Sequence, residues 1–548
     1  MKNFDAARRE LLKFSGMGLA GVTLPSLLTA QSRPPLAVAN GAGGPGFFDI
    51  RHYGATGDGK TVDTKGIQNA IDAAVAAGGG TVVFPAGKYL SFSLRMKSYV
   101  HLYLSQGCIL IAADSPSPGQ TTGYRGGTYD AAEPNTAWDA YQDYGHNHWH
   151  NSLIWAEDAH DLSISGPGLI WGKGLSNGRS RKDNSGFDFT AEQAGVGNKA
   201  IAMKNCFNVM LADFSVLKGG HFCLLLTGVD NLTIDNLKMD TDRDGMDIDC
   251  CKNVRVSNCT VNSPWDDAIC PKSSYALGYA RPTENVTITN CYVTGYYQLG
   301  SLLDGSLKRY SEDTHVPRTG RIKCGTESNG GFKNISISNC VFEGCQGLAL
   351  ESEDGALCED IAISNITMRD IDSCPFFLRL GARLRGPKET TQVGTLRRVL
   401  INNVTCYNSS SKISSILSGV PGHAIEDVKF SDIYVQHKGG ASADAAKVVP
   451  PELENKYPDP DMFGPMPAHG FYFRHVRHLE MSHVEVQPAA EDARPTFILE
   501  DVERADFFAI TAPTNVPAFA LNKVKDLRIG WSRAAKDTVL ANADGMSL

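Results

Sequence analysis

"NLTIDNLKMDTDRDGMDIDCCKNVRVSNCTVNSPWDDAIC", Asn231 to Cys270, repeats one four-residue phrase. The phrase is Asn or Asp, then apolar, any residue, apolar. It reads "NLTI" at Asn231 and "NVRV" at Asn253, 22 residues on. Further copies begin at Asp161, Asn208, Asn285, Asn334, Asp360, Asp427 and Asp526, with looser ones at Arg398 and His478. The closest neighbours are spaced by 22, 23 and 26 residues. Each copy alternates with period two between Asn, Gly or Ser, the pattern of a short half-buried strand. A period of this length without helical periodicity makes one strand-and-turn unit per winding. It predicts an all-β chain wound into a right-handed parallel β-helix, a solenoid. Leucine-rich repeats share the length, but their fixed Leu/Asn framework is missing.

The same period organises the aspartates. Leu232 and Val254 are equivalent points 22 residues apart, and so are Asp244 and Asp266. The spacing therefore puts these two carboxylates one rung apart, about 4.8 Å at the backbone, with Asp267 as a third beside them. Like charges that close raise at least one pKa, so that one acid can hold a proton near neutrality. A protonated carboxyl facing an ionised one is the equipment of glycoside hydrolysis. Asp247 and Asp249 alternate with the set and are expected to orient the turn.

The chain has 548 residues, 42% hydrophobic, enough for a large core, and 55 glycines for its many turns. A formal charge of −8 argues against a nucleic-acid-binding surface. "ARRELLKFSGMGLAGVTLPSLLTA", with Arg8 and Arg9 ahead of a short Gly-containing apolar run, resembles a twin-arginine export signal. Residues 1–39 are expected to be that signal, with cleavage between Ala30 and Ala39. Residues 40–548 would then be one β-helix domain, periplasmic or extracellular, monomeric and without stable membrane association. The 14 cysteines form no C-x-x-C pair, and Cys206, Cys259, Cys291 and Cys340 each follow Asn in one recurring phrase. They are expected to be buried thiols rather than zinc ligands. "TKGIQNAIDAAVAAGGG", Thr64 to Gly80, is the one clear helical pattern and is expected to cap the N-terminal end of the stack. Two insertions are expected, an aromatic one near 124–151 and a Pro-rich one near 439–470.

"DGMDID" followed by "DDAICPKS" resembles the "NTDGxD … GDDCIAIKS" signature of family-28 glycoside hydrolases, the polygalacturonase and rhamnogalacturonan hydrolase group. The segment "FDIRHYGATGDGKTVDTKGIQNAIDAAVAAGGGTVVFPAGKYL" is similar to that family's opening coil and cap. The resemblance runs from about Phe47 to Asp370. It implies an inverting, Asp-driven hydrolysis of α-linked pectic polysaccharide or oligosaccharide; separately, no cofactor and no metal are expected. By it Asp266 is the general acid, Asp244 and Asp267 hold and activate water, and Lys272 binds the substrate carboxylate or supports the acid. Two departures stand out. Thr319 lies near the place of the family's "GHG" histidine. Ala349 and Glu351 take the places of the Arg and Lys of its "RIK" clamp.

Other groups can supply what is lost. Arg321 and Lys323, two residues apart on one strand, point to one face and suit a carboxylate, as do Arg379, Arg383 and Arg385. Glu327 and Glu351 are candidate hydrogen-bond acceptors for substrate or alternative acids. In "DAYQDYGHNHWHNSLIW", Trp149 and Tyr144 are candidate platforms for sugar rings, and His146, His148 and His150 candidate partners for hydroxyls. Two rivals remain at this stage: a polysaccharide lyase on the same solenoid, and a non-catalytic carbohydrate-binding solenoid.

Overall fold

A computed structural model describes residues 46–143, 145–178, 193–410 and 412–548. The expected export signal and Tyr144 lie outside the described residues. Strands stack in register on parallel neighbours for most of the chain, winding after winding. One wall runs through Leu94–Arg95, Ile154–Glu157, Lys199–Lys204, Phe222–Thr227, Asp244–Asp249 and Ile269–Lys272. A bridge from Ile269 to Ile322 carries it on through Lys323–Cys324, Leu348–Ser352, Phe376–Leu380 and Ser415–Ser418. The phrase strands form a second wall, in which Val209, Leu232, Val254 and Val286 succeed one another rung by rung.

All eleven phrase-initial residues, Arg398 and His478 included, hold φ between 49° and 60°. Asn and Asp tolerate this left-handed corner best among residues with a Cβ. The asparagines also stack. Asn231 Nδ2 donates to Asn208 Oδ1 at 3.0 Å, Asn253 to Asn231 at 3.1 Å, Asn285 to Asn253 at 3.0 Å and Asn334 to Asn285 at 3.0 Å. The leading Asn of the phrase is thus a corner that bonds to the corner below. Inside, one continuous apolar column fills the coil. All 14 cysteines are buried free thiols.

The helix Thr64–Ala76 buries Gly66, Ile67, Ala70, Ile71 and Ala74 against the first windings, as an N-terminal cap should. At the other end Thr538–Ala543 and Met546–Ser547 turn back antiparallel onto Phe519–Gly530 and cover the last rung. Both ends of the stack are therefore paired or covered. Among the described residues no helix is long and apolar enough to cross a membrane.

Candidate active site

On the Asp244–Asp249 strand Met246 and Ile248 enter the core and Asp247 and Asp249 face outward. Strict alternation would send Asp244 inward. It does not, because Gly245 also faces inward: a Cβ there would lie 2.8 Å from the core atom Val261 Cγ1. That slip turns Asp244 to the outer face. Ala268 and Ile269 are likewise consecutive core residues, which puts Asp267 and Cys270 outside together. One ligand atom each from Asp244, Asp267 and Cys270 lies within 4.8 Å of the others, and the same holds for His146, Asp244 and Asp247.

The register differs from the sequence expectation by one residue. Asp240 pairs with Asn262, an offset of 22, but Met246 pairs with Ile269, an offset of 23. One extra residue enters between Asn262 and Ile269. The rung equivalent of Asp244 is therefore Asp267, and Asp266 lies opposite Arg243. Arg243 donates to Asp266 Oδ2 through Nη2 at 2.6 Å and Nε at 3.1 Å. The Asp266 side chain is 24% exposed, whereas Asp244, Asp247 and Asp267 are buried.

Charge separates the buried carboxyls. Burial works against ionising Asp267, but Lys323 Nζ at 2.5 Å and Arg321 Nε at 2.9 Å from its oxygens hold its pKa at about 2. Asp247 is pushed up to about 6 by burial, against the pull of Lys272, whose Nζ is 3.4 Å from Oδ1. Asp244 is pushed well above the carboxylate range by burial and then by Asp247 and Asp266. Asp247 was expected to orient a turn. It sits instead in the middle of the cluster, paired with Lys272.

The other candidates divide. Lys272, Arg321 and Lys323 converge on the carboxylates as charge partners, all buried. Glu327 is also buried: its Oε2 contacts His146 Nδ1, and its Oε1 accepts from the Asp143 N–H at 2.7 Å. Glu351 Oε2 accepts from Thr326 Oγ1 at 3.0 Å, and burial raises its pKa. These two glutamates bind the protein to itself rather than face substrate. Arg379 is a correction too. It is fully buried and donates to Ser418 Oγ and to the carbonyls of Gly419, Glu452 and Leu453. Trp149 offers no sugar platform, because its ring packs on Ala202, Phe222 and Leu225 while Nε1 donates to Thr227. His148 is buried beside it in sequence.

Three groups escaped the sequence reading of the site: Asp247, Arg243 and Tyr457. Tyr457 Oη lies 3.1 Å from Thr326 Oγ1, and the residue is 52% exposed. Lys323 pulls the pKa of its phenol down, but burial and the charges of Asp143, Glu351 and Asp266 outweigh it, and the net shift is upward. The lone aromatic in "NKYPDP" was its only signal.

Residues 47–106 match a family model described as rhamnogalacturonase A/epimerase, pectate lyase-like, and residues 199–383 match one for the right-handed beta helix region. A probable polygalacturonase of Vitis vinifera is 22% identical over 317 residues, 53% of this chain and 60% of that one. The chain thus spans under two thirds of that relative's length. A mannuronan C5-epimerase of Azotobacter vinelandii is 62% identical over 42 residues, 2% of its own length. An exopolygalacturonase structure from Thermotoga maritima superposes with TM-score 0.57 at 15% identity, covering 80% of this chain and 91% of that one. A family-28 exopolygalacturonase from Yersinia enterocolitica gives 0.58 at 19% identity, covering 90% and 79%. These likenesses make the chain a right-handed parallel β-helix similar to polygalacturonases.

Proposed function

We propose that the protein hydrolyses α-glycosidic bonds of a pectic polysaccharide or its oligosaccharides. The observation that carries this reading is the outward cluster of Asp244, Asp266 and Asp267, in which burial raises Asp244 while Lys323 and Arg321 hold Asp267 low. The relatives named polygalacturonase supply the substrate class.

Asp266 is the carboxyl that reaches the mouth of the site, so it meets the glycosidic oxygen and gives it a proton. Here it is bridged to Arg243. A uronate carboxylate that takes over the guanidinium leaves Asp266 without its counter-charge, so that it takes up a proton from solvent and then passes it to the leaving oxygen. Asp244 and Asp267 have oxygens within 4.8 Å of each other, close enough for one water to bond to both. Asp244 keeps its own proton, and Asp267, held ionised, orients that water and accepts its proton. No carboxylate is assigned as nucleophile, so the anomeric centre inverts. Arg321 and Lys323, the cationic base candidates of a lyase, are engaged with Asp267, which favours hydrolysis over elimination.

The test is a panel of galacturonan and rhamnogalacturonan fragments, with products identified by their new chain ends. Hydrolysis yields saturated reducing ends, unaffected by a chelator, and Asp266→Asn lowers the rate at least about 10²-fold. Absorbing unsaturated uronides lost with a chelator would establish the lyase. Binding without turnover would establish the adhesion-type solenoid.

A further inference from the structure

Along the catalytic wall one outward-facing position can be followed rung by rung. It reads Trp155, Ala202, Leu225, Asp247, Cys270, Lys323, Ala349, Phe377, Ile416, Tyr472. Only the middle rungs, Asp247, Cys270 and Lys323, carry the chemistry. On one side the 124–151 insertion lays Trp149 over Ala202, Phe222 and Leu225. On the other the 439–470 insertion lays Phe463, Met466 and Ala468 over Ala349, Phe377, Ile416 and Tyr472. Apolar outward rungs are thus spent on packing the protein's own insertions, not on holding a ligand.

The second insertion is pinned. Buried Arg379 donates to the carbonyls of Glu452 and Leu453, Arg474 to those of Pro450 and Pro451, and Arg494 to that of Met466. Five backbone carbonyls held by three buried guanidiniums make a wall rather than a swinging lid. At the centre of this wall's sequence, Tyr457 accepts from Thr326 Oγ1, is half exposed as a residue, and lies close enough to Asp266 and Glu351 to feel their charge.

We propose that the two insertions stop the groove at both ends of the catalytic wall. The site then accepts a chain terminus or a short acidic oligosaccharide, and not the interior of a polymer. The exposed face of Tyr457 is where the terminal sugar rests. This rests on the hydrolase reading and adds the substrate's form to it. The ring presents an apolar face of the kind that packs on a sugar, and its hydroxyl is fixed by Thr326, so little freedom is lost on binding.

The test uses the full chain with polygalacturonan and with galacturonate oligomers of two to six units. The expected result is one short product from the earliest turnovers, with solution viscosity almost unchanged. Tyr457→Ala raises KM for the oligomers about tenfold, while Tyr457→Phe, which keeps the face, stays within about twofold. Melting temperatures confirm that both variants are folded. A ladder of intermediate lengths with rapid viscosity loss would overturn the dead-end site. An unchanged KM in Tyr457→Ala would overturn the platform, and either result leaves the hydrolase reading standing. Absence of hydrolysis by the wild-type protein on either pectic backbone is a different result, and it takes the hydrolase reading and this inference down together.

Discussion

Asp247 and Asp267 pull the protein's pH dependence in opposite directions. Asp247 is raised to about 6, so its contribution to stability is full below about pH 4 and is lost as pH rises through 6. Asp267 is depressed to about 2, so its contribution is present above about pH 4 and is lost as pH falls through 2. Asp247→Asn is therefore expected to flatten the fall in melting temperature between pH 4 and 7, and to remove an ionisation near 6 from the kcat/KM profile. Asp267→Asn leaves Lys323 and Arg321 buried without their counter-charge. Chemical denaturation should show it less stable by about 3 kcal/mol at neutral pH. Gly245→Ala forces a methyl against Val261 and Ala268, and a loss of about 1–3 kcal/mol is expected with Asp244 displaced from the cluster. Native-like stability with full activity in Gly245→Ala would contradict the slip that exposes Asp244.

At the scale of the element, the four-residue phrase is a corner and a strand in one. Asn253 both donates to Asn231 and accepts from Asn285, and holds φ 57°. Asn253→Ala removes two exposed bonds and strains the corner, for an expected loss of about 1–2 kcal/mol in equilibrium unfolding. Asn253→Gly, which relieves the strain, should recover part of it. This element was legible because its hydrophobic period and its Asn repeat independently. The exact stacking of the aspartates was not. A single residue added in "NSPWDD" shifts the offset from 22 to 23, and a turn of that kind leaves no periodic mark. Trp149 and Arg379 misled for a related reason. Aromatic and cationic side chains suit a sugar site and a packed insertion equally, and only burial separates the two uses.

The described chain from residue 46 onward is a filled coil covered at both ends, with two insertions laid on the wall that carries Asp244 and Asp267. The 14 thiols are all buried. A thiol reagent should therefore modify almost none of them in the native protein and all 14 once it is unfolded. The solenoid and its cap could be read from the chain, because each winding repeats. The insertions could be located but not docked, since what they cover depends on outward rungs that have no period of their own. The coil matters to function because it alone brings Asp244 and Asp267 to one face with Asp266 at the mouth. The most direct measurement of that arrangement is proton NMR of the first product released from an α-linked galacturonate oligomer. The expected result is the β-anomer first, mutarotating to α, with the signal absent in Asp266→Asn. An α-anomer formed first would contradict it, because it would require a nucleophilic carboxylate that this site does not assign.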